Sequence, residues 1–473
     1  MQKNIHMIAI CGTGMAALAG LLKKAGHAVT GSDAQVYPPM STFLEKAEII
    51  CKSGFAPDHI EPHTDLVIIG NAVRKDNPEV LEALKRKLPT LSMAAAVEEY
   101  FLKSRQSLVV SGTHGKTTTS SILGWVLSSA GCDPSMLIGG WVQNLNSNHR
   151  LGSGPHFVIE GDEYDTAFFD KGPKFLHYRP QHAILTSIEF DHADIFADLD
   201  AVKSAFQKFV HLLPPNGTLL AGAGDQAIDK VIQNLNCRIE RYGTEMDGNA
   251  QQNQIDWLAD GIHVAGNLIC FNVSYHQKKM GNIESPLFGR HNIKNTLAVI
   301  ALCHHLGLSW EKIREGIKSF QGVKRRQEIV GIAGDIIIMD DFAHHPTAIA
   351  ETLASLRWRY PTRRIWAVFE PRSATSRRNI FQEAFIEAFK KADRIILAEP
   401  FATEKLAPDE RLNPLEIIKS LNRTGNKASF IPTSEKIISE LPTQLQAGDL
   451  VCIMSSGGFG GIHRKLLSQI KSA

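Results

Sequence analysis

Three α/β domains, each built around a largely parallel sheet, are the fold that this sequence of 473 residues predicts. Two observations predict it. Short apolar runs rich in β-branched residues alternate with helical patterns along the whole chain. Several of these runs end in glycine-rich or acidic turns, as strands do when their carboxyl ends face a ligand crevice. The chain is also too long to fold around one ordinary hydrophobic core, and we place the domains at residues 1–105, 106–322 and 323–473.

The composition excludes several classes of protein. The formal net charge is only +2, so neither nucleic acid nor an anionic membrane surface is expected as a partner, and no obligate protein partner is predicted. No apolar run reaches about 18 residues and the N-terminus lacks the apolar core of a secretory signal, so we expect no transmembrane helix. Seven scattered cysteines without C-x-x-C pairs fit thiols in a reducing cytoplasm.

The first domain opens with a dinucleotide-binding type of turn. The run His6–Cys11 predicts a buried strand, and a helical pattern follows the turn formed by Gly12, Thr13, Gly14 and Met15. Asp33 lies about twenty positions further on, where an acidic residue can hold ribose hydroxyls. Diphosphate binding is therefore predicted, with a purely structural turn as the alternative. Asn71 follows another strand and is either a ligand neighbour or a turn residue.

The second domain opens with a phosphate-binding loop. The apolar run from 106 to 110 precedes it, and a helical pattern follows. Its glycines let backbone N–H groups close on phosphate oxygens at a helix N-terminus. The loop has the short form G-x-x-G-K-T, so nucleotide binding is favoured over a structural turn because a strand and a helix flank it. We predict that it binds ATP through Gly112, Thr113, His114, Gly115, Lys116, Thr117 and Thr118.

Carboxylates and a histidine follow two later strands of this domain. The run 156–160 ends in Glu160, and the run 183–188 leads to Asp191 and His192. A strand that delivers a carboxylate at its end is a usual source of a metal ligand beside a nucleotide. His192 is either a further ligand or a base near an acceptor amine, with a structural histidine as the alternative. Crowded acids would repel one another unless a divalent cation or solvent relieved them.

Polar groups near the next domain boundary complete the predicted nucleotide site. Asn292 and Asn295 precede or begin a helix and could read a base edge, although Asn292 could also be an ordinary N-cap. Arg326 lies on a basic connector, where an arginine can meet the terminal phosphate when domains close. The alternative is a solvated pair of arginines.

The third domain presents a further set of polar residues after its strands. Asp341 follows the run 335–339 and precedes His344 and His345. The paired histidines could be zinc ligands, but no further Cys/His spacing supports this, so nucleotide or acceptor contacts are preferred. Guanidinium groups can form two parallel hydrogen bonds to a carboxylate. The candidates for such a contact with the acceptor are Arg372, Arg377 and Arg378.

Taken together, these motifs resemble the Mur ligase family, the ATP-dependent amide-bond ligases of peptidoglycan. The resemblance follows the order of the chain and covers nearly all of it. It rests on the 12–15 turn with Asp33, the 112–117 loop, Glu160 with Asp162 and Glu163, and the 191–192, 289–295, 325–326 and 340–347 segments. It implies a Rossmann-like N-terminal domain for a UDP-sugar, a central P-loop ATPase domain, and a C-terminal α/β domain for the acceptor.

Two kinds of family member use UDP-N-acetylmuramate as donor. One adds L-alanine, and the other adds the salvaged tripeptide L-alanyl-γ-D-glutamyl-meso-diaminopimelate. This sequence is more similar to the second, notably at 37–42, 164–171, 340–345 and 369–373. We therefore expect a cytoplasmic ligase of peptidoglycan recycling that consumes ATP, UDP-N-acetylmuramate and the tripeptide. The alternatives are the L-alanine ligase and a nucleotide-binding switch without ligase activity.

The resemblance also implies roles for individual residues. Lys116, Glu160 and His192 would be catalytic, and Thr117 with Glu160 and His192 would hold Mg²⁺. ATP would contact the phosphate loop, and the UDP substrate would contact the first domain. The acceptor is assigned to His344, His345, Arg372 and Arg377 as guesses. The remaining ATP ligands would be Asn292 and Asn295 at adenine, Asp341 at ribose and Arg326 at the phosphates; those for UDP would be Gly12, Thr13, Gly14, Met15, Asp33 and Asn71.

Overall fold

A computed structural model describes residues 2–36, 40–247, 255–404 and 406–472. The predicted fold class is confirmed: helices alternate with strands, and the main sheets are largely parallel. Part of the 37–42 segment that carries the resemblance, Tyr37 to Pro39, lies outside the described residues. None of the described helices combines the length and the apolar character that crossing a membrane requires.

The first sheet has five parallel strands in the order β3-β2-β1-β4-β5. The first strand ends at Ile8, earlier than predicted, because Ala9 takes a positive φ of 64° and begins the glycine turn. The carboxyl ends of the strands therefore converge on this turn. The elements are β1 (Asn4–Ile8), α1 (Thr13–Lys24), β2 (Ala28–Asp33), α2 (Met40–Lys46), β3 (Ile50–Ser53), β4 (Leu66–Ile69), α3 (Pro78–Lys85), β5 (Thr90–Ser92) and α4 (Met93–Val97).

The second sheet has ten strands, with β6 between β12 and β9. Its elements are β6 (Gln106–Ser111), α5 (Lys116–Ser129), β7 (Ser135–Val142), β8 (Ser147–Arg150), β9 (His156–Gly161), β10 (Asp165–Ala167), β11 (Asp170–Pro173), β12 (Pro180–Leu185), α6 (Leu199–Val210), β13 (Thr218–Gly222), α7 (Gln226–Val231), β14 (Arg238–Thr244), β15 (Trp257–Ala265), β16 (Leu268–Tyr275), β17 (Lys278–Ser285), α8 (Arg290–His305) and α9 (Trp310–Lys318). The small ribbon β10-β11 is separate. Since β9, β6 and β12 run parallel, the residues after each of them meet at one edge.

The third sheet has six strands in the order β18-β19-β23-β20-β21-β22, and only its edge strand β18 is antiparallel to its neighbour. The elements are β18 (Glu328–Ala333), β19 (Ile336–Asp341), α10 (Pro346–Arg359), β20 (Arg364–Phe369), α11 (Gln382–Phe389), β21 (Arg394–Leu397), α12 (Pro414–Arg423), β22 (Lys427–Phe430), α13 (Ser434–Glu440), β23 (Asp449–Met454) and α14 (Ile462–Ser472). The loop after β19 faces the second sheet, as the contacts below establish.

Buried apolar side chains pack the first two sheets against each other. One core cluster contains Leu18 of α1, Phe101 and Phe157 of β9, all with 1% or less of their surface exposed. The rings of Phe101 and Phe157 lie 6.0 Å apart, which places an aromatic contact across the boundary. A cavity of about 2530 Å³ opens between the sheets and is lined from all three parts of the chain.

Candidate active site

The phosphate loop joins β6 to α5 in a backbone conformation that requires glycine at two places. Gly112 has a φ of 133° and Gly115 a φ of 83°, in the left-handed region that other residues rarely adopt. A Cβ on Gly112 would lie 2.1 Å from Thr186 Oγ1, and one on Gly115 would lie 2.7 Å from Asn295 Oδ1. The loop is also held by the residues after β12, since Thr113 N donates to Ser187 O at 2.8 Å.

Lys116 begins α5 and lies in a buried ion pair. Its Nζ donates to Glu163 Oε2 at 2.8 Å and to Gly112 O at 2.6 Å. Burial alone would lower the pKa of Lys116, but the carboxylates of Glu163 and Asp162 raise it. The ammonium group therefore keeps its charge at the mouth of the loop, where a nucleotide phosphate would bind.

Glu160 and Thr117 form the predicted metal-ligand pair. Thr117 Oγ1 donates to Glu160 Oε2 at 3.1 Å, and Gly139 N donates to the other carboxylate oxygen at 2.6 Å. Burial, followed by the nearby charge of Asp162, raises the pKa of Glu160 to about 7. Oxygen ligands about 2.1 Å from Mg²⁺ in an octahedron lie roughly 3 Å apart. The donor set and its spacing therefore fit a magnesium ion that would relieve a costly buried charge.

His192 lies beside the same site but faces a different carboxylate from the predicted one. Its Nε2 lies 3.5 Å from Glu163 Oε1. Burial lowers the pKa of His192, but the hydrogen bond and charge of Glu163 outweigh it and raise the pKa overall. Glu163 therefore joins Lys116 to His192. The sequence analysis named Glu163 only as part of a motif. Its position in the acidic run after β9 is the feature that could have marked it as a site residue.

Arg326, in the connector that leads into the third domain, reaches the phosphate loop. Arg326 Nη2 lies 3.4 Å from Thr117 Oγ1 as a long hydrogen bond. Asp341 is buried beside it, and its carboxylate accepts from Gln327 N and Ala343 N, both at 2.8 Å. Burial raises the pKa of Asp341. Arg326 thus lies toward the place predicted for the phosphates, whereas the Asp341 carboxylate already accepts two hydrogen bonds from the backbone.

The predicted adenine contacts lie at the start of α8. Asn295 Nδ2 donates to Asn292 Oδ1 at 3.3 Å, and Asn292 Nδ2 donates to Phe288 O at 2.8 Å. Both side chains are buried, line the cavity and stand next to the phosphate loop through Gly115. Their amides therefore form a short polar row beside the loop, and their contact with adenine stays a prediction.

The two histidines after β19 face the second domain. His345 Nδ1 lies 3.6 Å from Glu189 Oε2, and His114 Nε2 lies 3.3 Å from the same oxygen. Burial lowers the pKa of His345 to about 4, so its ring is neutral near pH 7. His344 Nε2 lies 3.9 Å from Asp191 Oδ2, which makes it a separate contact.

The acceptor arginines are engaged by their own domain. Arg377 Nη1 donates to Ala402 O at 2.7 Å, and Arg378 Nη1 lies 3.0 Å from Glu410 Oε2. The guanidinium carbon of Arg372 lies 3.8 Å from the centre of the Phe401 ring. Among the residues that the structure describes, these three arginines do not line the large cavity, so their acceptor role remains a prediction.

The first domain contributes its glycine turn to the cavity. Thr13 and Gly14 line it, and Gly12 caps α1. Asp33 ends β2, and its carboxylate accepts from Cys11 N at 2.9 Å. Asn71 follows β4 at the same edge of the sheet and is exposed. Met15 is buried, with 5% exposure, and neither it nor Asp33 nor Asn71 lines the cavity.

Comparison with known proteins matches three family descriptions along the chain. "Mur ligase family, catalytic domain" matches residues 4–105, "Mur ligase middle domain" matches 110–303, and "Mur ligase, glutamate ligase domain" matches 325–457. Together they span most of the sequence in the order of the three sheets.

Two full-length relatives have the same name, UDP-N-acetylmuramate–L-alanyl-γ-D-glutamyl-meso-2,6-diaminoheptandioate ligase. The one from Haemophilus influenzae is 37% identical over 99% of this chain and 100% of its own, and the one from Escherichia coli is 38% identical over 98% and 97%. A UDP-N-acetylmuramate–L-alanine ligase from Acetivibrio thermocellus is 35% identical over 96% and 93%. The crystal structure of a murein peptide ligase from Psychrobacter arcticus matches with a TM-score of 0.74 and 36% identity, covering 100% of this chain and 99% of the other.

Proposed function

The chain belongs to the Mur ligase family, and we propose that it joins L-alanyl-γ-D-glutamyl-meso-diaminopimelate to UDP-N-acetylmuramate. The reaction converts ATP to ADP and phosphate and returns a salvaged peptide to peptidoglycan synthesis. The observation that carries the proposal is the full-length similarity to two ligases of that name. The buried Lys116 among carboxylates at a phosphate loop supports the ATP-dependent step.

The reaction takes place in two steps. The lactyl carboxylate of UDP-N-acetylmuramate attacks the γ-phosphorus of ATP, the bond from that phosphorus to ADP breaks, and an acyl phosphate forms as ADP leaves. The α-amine of the tripeptide then attacks the acyl carbon, an amide bond forms, and phosphate and a proton leave. Lys116 stabilises charge that develops on the transferred phosphoryl group, and Arg326 adds a second cation from across the cavity.

Mg²⁺ would be held by Thr117 and Glu160, with His192 beside them, and would neutralise phosphate charge. Glu160 supplies a carboxylate oriented by Gly139 N, while Glu163 keeps Lys116 and His192 in place. No protein group needs to become covalently bound, so positioning and charge account for the role of the site.

The substrates are assigned to separate regions of the three domains. UDP binds at the glycine turn with Asp33 and Asn71, and adenine binds at Asn292 and Asn295. The acceptor enters from the third domain, near His344 and His345, with Arg372, Arg377 and Arg378 as further candidates. The domains are 1–105, 106–322 and 323–473. The enzyme acts on small molecules in the cytoplasm and needs neither nucleic acid nor a membrane nor an obligate protein partner.

The test is ADP release by the purified protein with ATP, Mg²⁺ and UDP-N-acetylmuramate, comparing the tripeptide with L-alanine as acceptor. We expect release that depends on the tripeptide, with the UDP-N-acetylmuramyl tripeptide identified as product by mass spectrometry. Lys116→Ala is the matched control and should abolish release. Stimulation by L-alanine alone would assign the protein to the biosynthetic reaction of its 35% identical relative. No stimulation by either acceptor would leave a nucleotide-binding switch.

A further inference from the structure

Three side chains from distant parts of the chain meet at the contact between the phosphate loop and the third domain. His114 comes from the phosphate loop, Glu189 follows β12, and His345 precedes α10. One ligand atom of each lies within 4.8 Å of the other two. The two imidazole rings are 4.7 Å apart, with an angle of 46° between their planes. The group is separate from Thr117 and Glu160, which form the magnesium pair.

The hydrogen bonds of His345 fix its tautomer and leave Nδ1 as the unprotonated nitrogen. His345 Nε2 lies 3.3 Å from Phe190 O, a carbonyl that can only accept, so this nitrogen carries the proton. Nδ1 accepts a long hydrogen bond from Thr347 N at 3.3 Å and lies 3.6 Å from Glu189 Oε2. A cation bound here would take the Nδ1 lone pair from that long hydrogen bond and would also attract the Glu189 carboxylate.

The spacing of the three groups fits a tetrahedral ion. Zn²⁺ binds imidazole nitrogen and carboxylate oxygen at about 2.0–2.2 Å, so ligand atoms in a tetrahedron lie roughly 3.3–3.6 Å apart. Glu189 Oε2 lies 3.3 Å from His114 Nε2 and 3.6 Å from His345 Nδ1. Both values match the edges of such a tetrahedron, and the ligand atoms of the two histidines lie within 4.8 Å of each other.

The groups around the ligands orient them as metal sites require. A metal-binding histidine usually donates its other N–H to a carbonyl or a carboxylate, as His345 does to Phe190 O. Thr347 Oγ1 donates to Glu189 Oε2 at 2.7 Å, which fixes the carboxylate while leaving it a further lone pair. All three residues line the large cavity, which gives water or a substrate group access to an ion held between them.

We propose that His114, Glu189 and His345 form a binding site for a zinc-class divalent ion, distinct from the magnesium site of the ligase reaction. Two imidazoles and one carboxylate suit Zn²⁺ or Co²⁺ better than Mg²⁺, which prefers oxygen ligands. The bound ion bridges the phosphate loop and the third domain, because His114 belongs to the phosphate loop and His345 belongs to the third domain. Water or a substrate group completes the coordination.

The experiment uses Co²⁺ as a spectroscopic probe of the full-length protein in excess Mg²⁺. We expect the intense visible absorption of tetrahedral Co²⁺, saturating at one ion per chain and displaced by Zn²⁺. His345→Gln, Glu189→Gln and His114→Gln should each remove the band or weaken Co²⁺ binding beyond the roughly 10- to 100-fold loss that follows damage to a supporting partner. His114 is the most accessible of the histidine pair, so its variant tests the site even if substitution at the buried His345 disturbs folding.

His344→Gln is the matched control, since this neighbouring histidine contacts Asp191 instead. It should keep both the band and the affinity. Weak absorption typical of six-coordinate Co²⁺ in the unmodified protein would overturn the proposal. So would tetrahedral binding that survives both the Glu189→Gln and the His114→Gln substitution.

Discussion

Replacement of the buried Glu160 by glutamine should stabilise the protein without its metal at alkaline pH. Burial favours the neutral carboxyl group and raises the pKa of Glu160 from 4.5 to about 7. A carboxyl group with a raised pKa in the folded state contributes its full stability below pH 4.5. That contribution is lost as the pH rises through 7, because the charged group must then remain buried.

The size of the effect follows from the difference between the two pKa values. They differ by about 2.5, and each pKa unit corresponds to about 1.4 kcal/mol, so the charge costs about 3–4 kcal/mol above pH 8. Glutamine avoids this cost and keeps both hydrogen bonds. Gly139 N can still donate to the amide oxygen, and the amide nitrogen can donate to the Thr117 hydroxyl, which rotates to accept.

The assay is thermal unfolding of Glu160→Gln and the unmodified protein in chelator at pH 5 and pH 8. We expect Tm to rise by several degrees at pH 8 and to change little at pH 5. Glu163→Gln is the matched control from the same segment. Its carboxylate pairs with Lys116, so its loss leaves a buried cation and should lower Tm. A fall in Tm for Glu160→Gln at pH 8, or equal shifts for both variants, would refute the electrostatic reasoning.

Three further outcomes test other contacts. Mg²⁺ affinity should fall about tenfold for each pH unit below 7, since the metal competes with a proton on Glu160; titration calorimetry of the metal at several pH values measures this. Arg326→Ala removes the long contact to Thr117 and should raise KM for ATP several-fold, and an unchanged KM would place the guanidinium away from the phosphates. Gly115→Ala should weaken ATP binding at least tenfold, because its Cβ would lie 2.7 Å from Asn295 Oδ1, whereas Gly131→Ala has the same φ of 83° but open space at its Cβ, so it controls for backbone strain and should keep the ATP affinity.

The sequence predicted the three sheets because strand and helix patterns are local, and the phosphate loop because its lysine and glycines are adjacent. The family resemblance is confirmed by the comparisons. Strand ends were less accurate. The strand that begins at Pro180 ends at Leu185 rather than near residue 188, since Thr186 and Ser187 turn to hydrogen-bond the phosphate loop. That partner lies more than 70 residues earlier in the chain, beyond the reach of a local pattern.

Contacts between the domains were the least predictable part of the site. The paired histidines lacked any further ligand in nearby sequence, yet His345 lies beside Glu189 and His114, which come from the other domain. A spacing rule cannot find such a group, because it is set by how two sheets pack. The roles assigned to individual residues by resemblance stay predictions, and Arg377 shows why: its guanidinium holds the Phe401–Ala402 backbone.

The ion pair at Lys116 explains how this site can exist before ATP binds. A buried ammonium group without an anion would be costly, and Glu163 at 2.8 Å supplies one. A phosphate at the predicted position would take the place of that carboxylate, so Lys116 would exchange one anion for another instead of gaining a first partner. Glu163 would then keep its contact with His192, whose Nε2 lies 3.5 Å from Glu163 Oε1. Glu163 therefore stabilises the buried lysine and holds it next to His192, the predicted metal ligand.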